Sequence, residues 1–346
     1  ESSLSRMRRR LLAAPGRVAD AATYALQRER FDLVWITLLS GHLAGHWFLD
    51  PSRLPLDGVA PPERALLEGT VAECYVAIEE ALARVLAEIP DDADLILVSP
   101  TGMGPNASRT HLLPGMLQAV LDGDGNGRRR AHAGGTLWRL RAMIPTDLRA
   151  WVARVLPDTV TLELTARLEL RNMNWARTRA FVPPSGDCGY IRLNLRGRER
   201  DGIVDPRHAD ALLDEIAQGL TTFHDPDGRP AVDRVERTSA VLESPTPLPN
   251  FPDLVVLWNP EVPPRLAGMH SRRYGDVPSA GWGSGRTGEH NDDGWVLVVP
   301  GRSRFAPPQE RPHLVDIAAT VCSVLGVPRE DLDGVPLLIP SSAVSG

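Results

Sequence analysis

Residues Phe31–Asp50 read Phe-Asp-Leu-Val-Trp-Ile-Thr-Leu-Leu-Ser-Gly-His-Leu-Ala-Gly-His-Trp-Phe-Leu-Asp, and this stretch constrains the chain more than any other. Leu33, Val34, Trp35, Ile36, Leu38 and Leu39 form a nearly continuous apolar run. A short run of this kind, with β-branched and aromatic members, predicts a strand buried on both faces of a parallel sheet. Ser40-Gly41 ends it, and His42 and His46 follow. Polar residues just past the carboxyl end of a buried strand stand where open α/β sheets bind ligands. Imidazoles four apart, on a turn or first helical turn, point the same way and can hold one metal ion. Capping or ring stacking is the competing explanation of such a pair, and a third ligand from elsewhere would separate the two.

The chain before and after this stretch supports an α/β reading. Residues 1–30 have a helical pattern through Leu11, Leu12, Val18, Ala21, Ala22 and Leu26, and Arg8-Arg9-Arg10 fits a solvated helix face. A long amphipathic helix is expected from Pro62 to Ala87, with Leu66, Leu67, Val71, Tyr75, Ile78, Leu82, Val85 and Leu86 as its apolar stripe. Leu95–Val98 then reads as a second buried strand, which gives a strand–helix–strand unit with a right-handed crossover. Leu112–Leu121 and His208–Leu220 read as helices. Thr178–Pro183, Gly189–Leu195, Val232–Val235, Asp253–Trp258 and Trp295–Val299 read as strands, and His313–Leu325 as a closing helix. Residues 122–175 read as a helical lid or insertion. The fold expected from these elements is α/β, a mostly parallel central sheet with helices on both faces.

Composition narrows the function classes. With 346 residues the chain can bury a sizeable core. Its net charge of −6 gives no support for a nucleic-acid or anionic-membrane partner, and no apolar stretch approaches the roughly 20 residues that span a bilayer. All 38 basic residues are arginine, which reads as a GC-rich, bacterial-type coding bias and excludes any mechanism that needs a lysine. Cys74, Cys188 and Cys322 are widely spaced, so neither a disulfide framework nor a cysteine zinc site is expected. That usage predicts a reducing, cytoplasmic location; the oligomeric state is left open.

Four separated motifs then align in order with one family. They are Ser40-Gly-His-Leu-Ala-Gly-His46, Ser99-Pro-Thr-Gly-Met-Gly-Pro-Asn106, Arg286-Thr-Gly-Glu-His290, and Asp316–Val327 with Asp333-Gly-Val-Pro336. On these residues the chain resembles the alkaline phosphatase superfamily, in particular its type I phosphodiesterase/nucleotide pyrophosphatase branch. The resemblance implies one alkaline phosphatase-like domain over residues 1–346. It further implies a two-metal zinc site and hydrolysis of phosphoric esters of small molecules. Carried over position by position, one metal falls to His42, His46 and His290. Three imidazoles with an open fourth position are the pattern of a catalytic zinc.

The sequence departs from the family in two places. The Asp-His pair expected to hold the second metal is Pro100-Thr101 here, so that second site loses both ligands. The nucleophile segment expected upstream of Phe31 has no counterpart in residues 1–30. It is therefore expected either on chain preceding Glu1 or not at all, and the catalytic residues stay unassigned. Asn106, His111 and Arg196 are the remaining candidates for substrate contact. Arg196 qualifies because a guanidinium offers a bidentate fork to phosphate. Three functions follow as expectations: a metal-dependent phosphoric-ester hydrolase, a degenerate relative that binds a ligand or partner without hydrolysis, and a mononuclear metalloenzyme of different chemistry.

Overall fold

The structure is a computed structural model, and it describes residues 3–53, 60–123, 173–183, 188–243, 248–262, 268–279, 285–307 and 311–341. The lid or insertion expected at 122–175 lies almost wholly outside these. In chain order the described elements are helices α1 (Ser3–Leu26), α2 (Ser40–Phe48), α3 (Pro61–Glu68) and α4 (Thr70–Leu86), then strands β1 (Leu95–Ser99) and β2 (Gly102–Pro105). Helix α5 (Leu113–Asp122), strands β3 (Ala180–Phe181) and β4 (Gly189–Leu193), and helix α6 (Ala209–Leu220) follow. Next come β5 (Val232–Arg237), α7 (Thr238–Val241), β6 (Leu254–Trp258), β7 (Gly268–Ser271) and β8 (Gly275–Pro278). The chain closes with β9 (Gly288–Asn291), β10 (Trp295–Val299), β11 (Ser303–Phe305), α8 (Val315–Leu325) and β12 (Leu338–Pro340). No described helix is long and apolar enough to cross a membrane.

The expected parallel central sheet is not there. Among the described residues the strands form one four-stranded sheet, β3-β4-β6-β5, and four two-stranded ones. Every pairing with a defined register is antiparallel. This overturns both the mostly parallel α/β architecture and the alkaline phosphatase-like fold. The physical reason is that an apolar run reports burial, not the direction of the neighbouring strand. Leu95–Ser99 is the clearest case: it pairs antiparallel with Trp295–Val299, far along the chain. Phe31–Leu39, the expected first strand, forms no strand; Phe31, Leu33, Val34, Trp35 and Leu39 are exposed, Trp35 at 65%, while Ile36 packs on the Ala19, Ala81 and Val85 cluster.

The chain divides into two compact units, residues 1–104 with 287–346, and residues 105–286. In the first unit α1 packs along α4. Leu11, Ala44, Phe48, Leu67 and Cys74 form one small buried cluster, and Ala19, Ala81 and Val85 another. The helix expected over 62–87 is broken at Gly69 into α3 and α4. Its buried face also differs from the expected stripe: Leu67, Thr70, Cys74, Ala81 and Val85 are buried, while Leu66 and Tyr75 are exposed. The partner α1 meets α4 through small residues such as Ala19, so small side chains fit the interface and Tyr75 does not.

Two buried or half-buried aspartates organise the rest of this unit. Asp94 accepts hydrogen bonds from the backbone N–H groups of Gly301 (2.8 Å) and Ser303 (3.0 Å) and from Ser303 Oγ (2.7 Å). Asp316, in the first turn of α8, accepts from His313 N–H (2.7 Å) and from Val335 N–H (2.8 Å), so it fixes the chain entering α8 and ties down the Asp333-Gly-Val-Pro336 turn. A Cβ at Gly334 would stand 2.3 Å from the Val315 carbonyl oxygen, which explains the glycine in that turn.

In the second unit the antiparallel sheet is covered by α5 and α6. Ile191, Leu193, Leu254 and Val256 from the sheet meet Met116, Leu117, Ile216 and Leu220 from the helices in a single core. A buried bidentate pair, Arg198 with Asp253 at 2.7 Å for both contacts, closes the end of β4 and β6.

Candidate metal centre

The three histidines singled out in the sequence come together in the first unit. His42 and His46 lie four apart on α2 and therefore share one helix face. His290 reaches them from β9. The ring centroids form a nearly equilateral triangle: 4.7 Å for His42–His46, and 4.8 Å for each of the other two pairs. One nitrogen from each ring lies within 4.8 Å of the other two, so the cluster can hold a metal ion. Tetrahedral zinc with Zn–N bonds of about 2.0–2.1 Å needs ligand nitrogens roughly 3.4 Å apart, inside the 4.8 Å limit within which these lie. Among the described residues no other group of three or more His, Cys, Asp or Glu side chains gathers this closely.

Close backbone contacts hold β9 against α2 in this geometry. The Thr287 N–H donates to the His46 carbonyl at 2.8 Å, which fastens the start of β9 to α2. A Cβ on Gly288 would lie 2.2 Å from the Gly45 carbonyl oxygen, so only glycine admits this approach. On the other side of Gly45, an added Cβ would lie 2.8 Å from Met103 Cγ. Strand β2 therefore packs on α2 through Met103. At the helix start, buried Ser40 donates from Oγ to the Leu11 carbonyl at 2.8 Å. Gly45, Thr287, Gly288 and Met103 lie inside the quoted motifs, but the sequence assigns them no role. The only signal there was a glycine one or two residues before each of His42, His46 and His290.

The electronic state of His46 follows from one contact. Its Nδ1 lies 3.0 Å from the Gly288 carbonyl oxygen. A carbonyl can only accept, so Nδ1 carries the hydrogen and the neutral ring keeps its lone pair on Nε2. Metal-binding histidines characteristically donate their other ring N–H in this way. His46 is buried, whereas neither His42 nor His290 is, so the cluster opens to solvent on one side.

The remaining candidates belong to the second unit. Asn106 is buried; its Nδ2 donates to the Arg286 carbonyl at 2.9 Å and its Oδ1 accepts from Ser108 N–H at 2.7 Å. Both bonds are those of a loop clamp. His111 is held below the usual histidine range by burial and then by the nearby Arg109 guanidinium, so it is neutral at pH 7. Arg196 lies at the surface, 3.9 Å from Asp205. The Pro100-Thr101 pair sits between the Ser99 Oγ bond to the Thr101 carbonyl (2.8 Å) and the backbone of Gly294. Comparison with family models, with curated proteins and with solved structures finds no match to this chain.

Proposed function

We propose that this chain is a mononuclear zinc protein that hydrolyses phosphoric esters of small molecules at His42, His46 and His290. The observation that supports it is the triangle of ring centroids at 4.7, 4.8 and 4.8 Å. Three neutral nitrogen ligands that leave a fourth position open are the donor set of catalytic rather than structural zinc. When bound, Zn2+ would supply a Lewis acid and lower the pKa of its water to about 7. The Gly288 carbonyl engages His46 Nδ1, which leaves Nε2 as the atom that would hold the ion. His42 and His290 leave the solvent side accessible to substrate. The phosphoric-ester class rests on the four sequence motifs, not on a shared fold.

A second reading, a protein that binds a partner without hydrolysis, draws on a separate observation. Phe31, Leu33, Val34, Trp35 and Leu39 are exposed in the first unit, as are Trp295, Leu297 and Val299 on β10. One experiment separates the two: count zinc per chain by mass spectrometry, then assay bis-p-nitrophenyl phosphate with wild type and with His290→Ala. One zinc per chain, with turnover lost on His290→Ala, is the expected result. One zinc without turnover would favour the binding reading, and no zinc would sink the proposal.

A further inference from the structure

We propose a second metal site, in the unit of residues 105–286, where His224 and His270 together chelate one divalent cation of the Zn2+, Ni2+ or Cu2+ class. The two residues are 46 positions apart in sequence but directly opposed across an antiparallel bridge. His224 N–H donates to the His270 carbonyl at 2.8 Å, and His270 N–H returns the bond to the His224 carbonyl at 2.9 Å. A pair that exchanges both bonds has its Cα atoms about 5.5 Å apart and both side chains on one face. The β7–β8 hairpin extends the row, since His270 stands opposite Asp276. Met269 and Val277, the neighbours of His270 and Asp276, are buried. The alternation along each strand therefore turns His270 and Asp276 to the solvent side, and the His270 side chain is 57% exposed.

Both rings are oriented for a ligand. His270 Nδ1 lies 2.6 Å from Asp276 Oδ1, and His224 Nδ1 lies 2.9 Å from the Thr222 carbonyl oxygen. A carboxylate and a carbonyl are acceptors, so each Nδ1 carries its hydrogen and each neutral ring presents Nε2 as a bare lone pair. An imidazole fixed by a carboxylate or carbonyl on one nitrogen is the arrangement found in metal-binding histidines. Opposed on one face of an antiparallel pair, two such residues can reach a single ion from neighbouring positions, and imidazole donors suit Zn2+, Ni2+ and Cu2+ over Mg2+ or Ca2+. Water completes the coordination. A bound cation also clips residue 224 to the β7–β8 hairpin, so binding stabilises this strand pairing.

The test removes the first cluster from the measurement. In a His42→Ala/His290→Ala background, Zn2+ is titrated by calorimetry while the imidazole nitrogens are followed by 15N NMR. We expect one remaining equivalent, with the Nε2 signals of two histidines shifting together. Adding His224→Ala or His270→Ala should each weaken that equivalent at least about tenfold. Glutamine at either position, which keeps a polar side chain, should do the same if the alanine variants fold poorly by circular dichroism. Absence of any Zn2+ equivalent in the first background would overturn the site. Binding that survives either single substitution would overturn the two-histidine chelate.

Discussion

In the second unit, strands and helices converge on one core in which Ile191, Leu193, Ile216, Leu220, Leu254 and Val256 are all buried. In the first unit the buried apolar residues fall into two small clusters, and most of the holding is done by polar contacts: Ser40 to Leu11, Thr287 to His46, Asp94 to the 301–303 turn, Asp316 to the 333–336 turn. Of the large hydrophobic side chains exposed among the described residues, all but Val241, Leu242 and Phe251 belong to this first unit. Burial scales with free energy at about 25 cal/mol per Å2, so the second unit draws on the larger share of it. The first unit carries the histidine cluster, and it brings those rings together through close backbone approach, not through a thick core. That arrangement leaves residues such as Trp35 and Trp295 in water.

This contrast can be broken by substitution. The largest effect is expected in the second unit, where Ile216→Ala should cost about 3 kcal/mol, measured as a shift in the urea midpoint. Ile216 is fully buried. A loss below about 1 kcal/mol would mean that the core collapses around the cavity and is less tightly packed than it stands here. Next comes Gly288→Ala in the first unit, at about 2 kcal/mol, because the added methyl meets the Gly45 carbonyl. Zinc affinity should fall at least tenfold with it, and unchanged affinity would show that β9 does not need this approach to deliver His290.

Smaller effects concern titration and surface. Burial pushes the Asp94 carboxyl up, but the Ser303 and Gly301 hydrogen bonds outweigh it and leave the pKa below the usual carboxylate range. A carboxyl with a depressed folded pKa gives stability that is complete above its unfolded value of about 4 and is lost as pH falls through the lower folded value. Asp94→Asn should therefore lower the urea midpoint at pH 7 and flatten its fall at acid pH. An equal loss at pH 7 and pH 2 would remove the carboxylate from the account. Burial also pushes the Cys74 thiol up to about 11, against the lowering effect of Arg8. Alkylation by iodoacetamide at pH 8 should reach Cys322 well before Cys74 in the folded protein. The smallest change is expected for Trp295→Ser, within about 0.5 kcal/mol, since that residue is already more than half exposed. A loss of core size would reveal a covering partner for β10.

Much of this was legible in the residues themselves. His42, His46 and His290 could be assembled as a ligand set, since spacing fixes the helical pair and the motif order suggests the third. Helices at 209–220 and 315–325, and strands at 254–258 and 295–299, fall close to where periodicity puts them. The same periodicity failed at Phe31–Leu39, because an apolar run forms a strand only if a neighbour satisfies its backbone. It failed at Tyr75 because the face a helix buries is chosen by what packs on it.

Local sequence therefore determined several of the helices and strands, such as α6, α8, β6 and β10, and which imidazoles share the α2 face, because those depend on neighbours a few positions away. Only the tertiary structure decided that β1 runs antiparallel to β10, that Gly288 lets β9 carry His290 to α2, and that His224 faces His270. Each of these is a contact between residues distant in the chain. Its existence depends on backbone hydrogen bonds and steric clearance that no local pattern encodes.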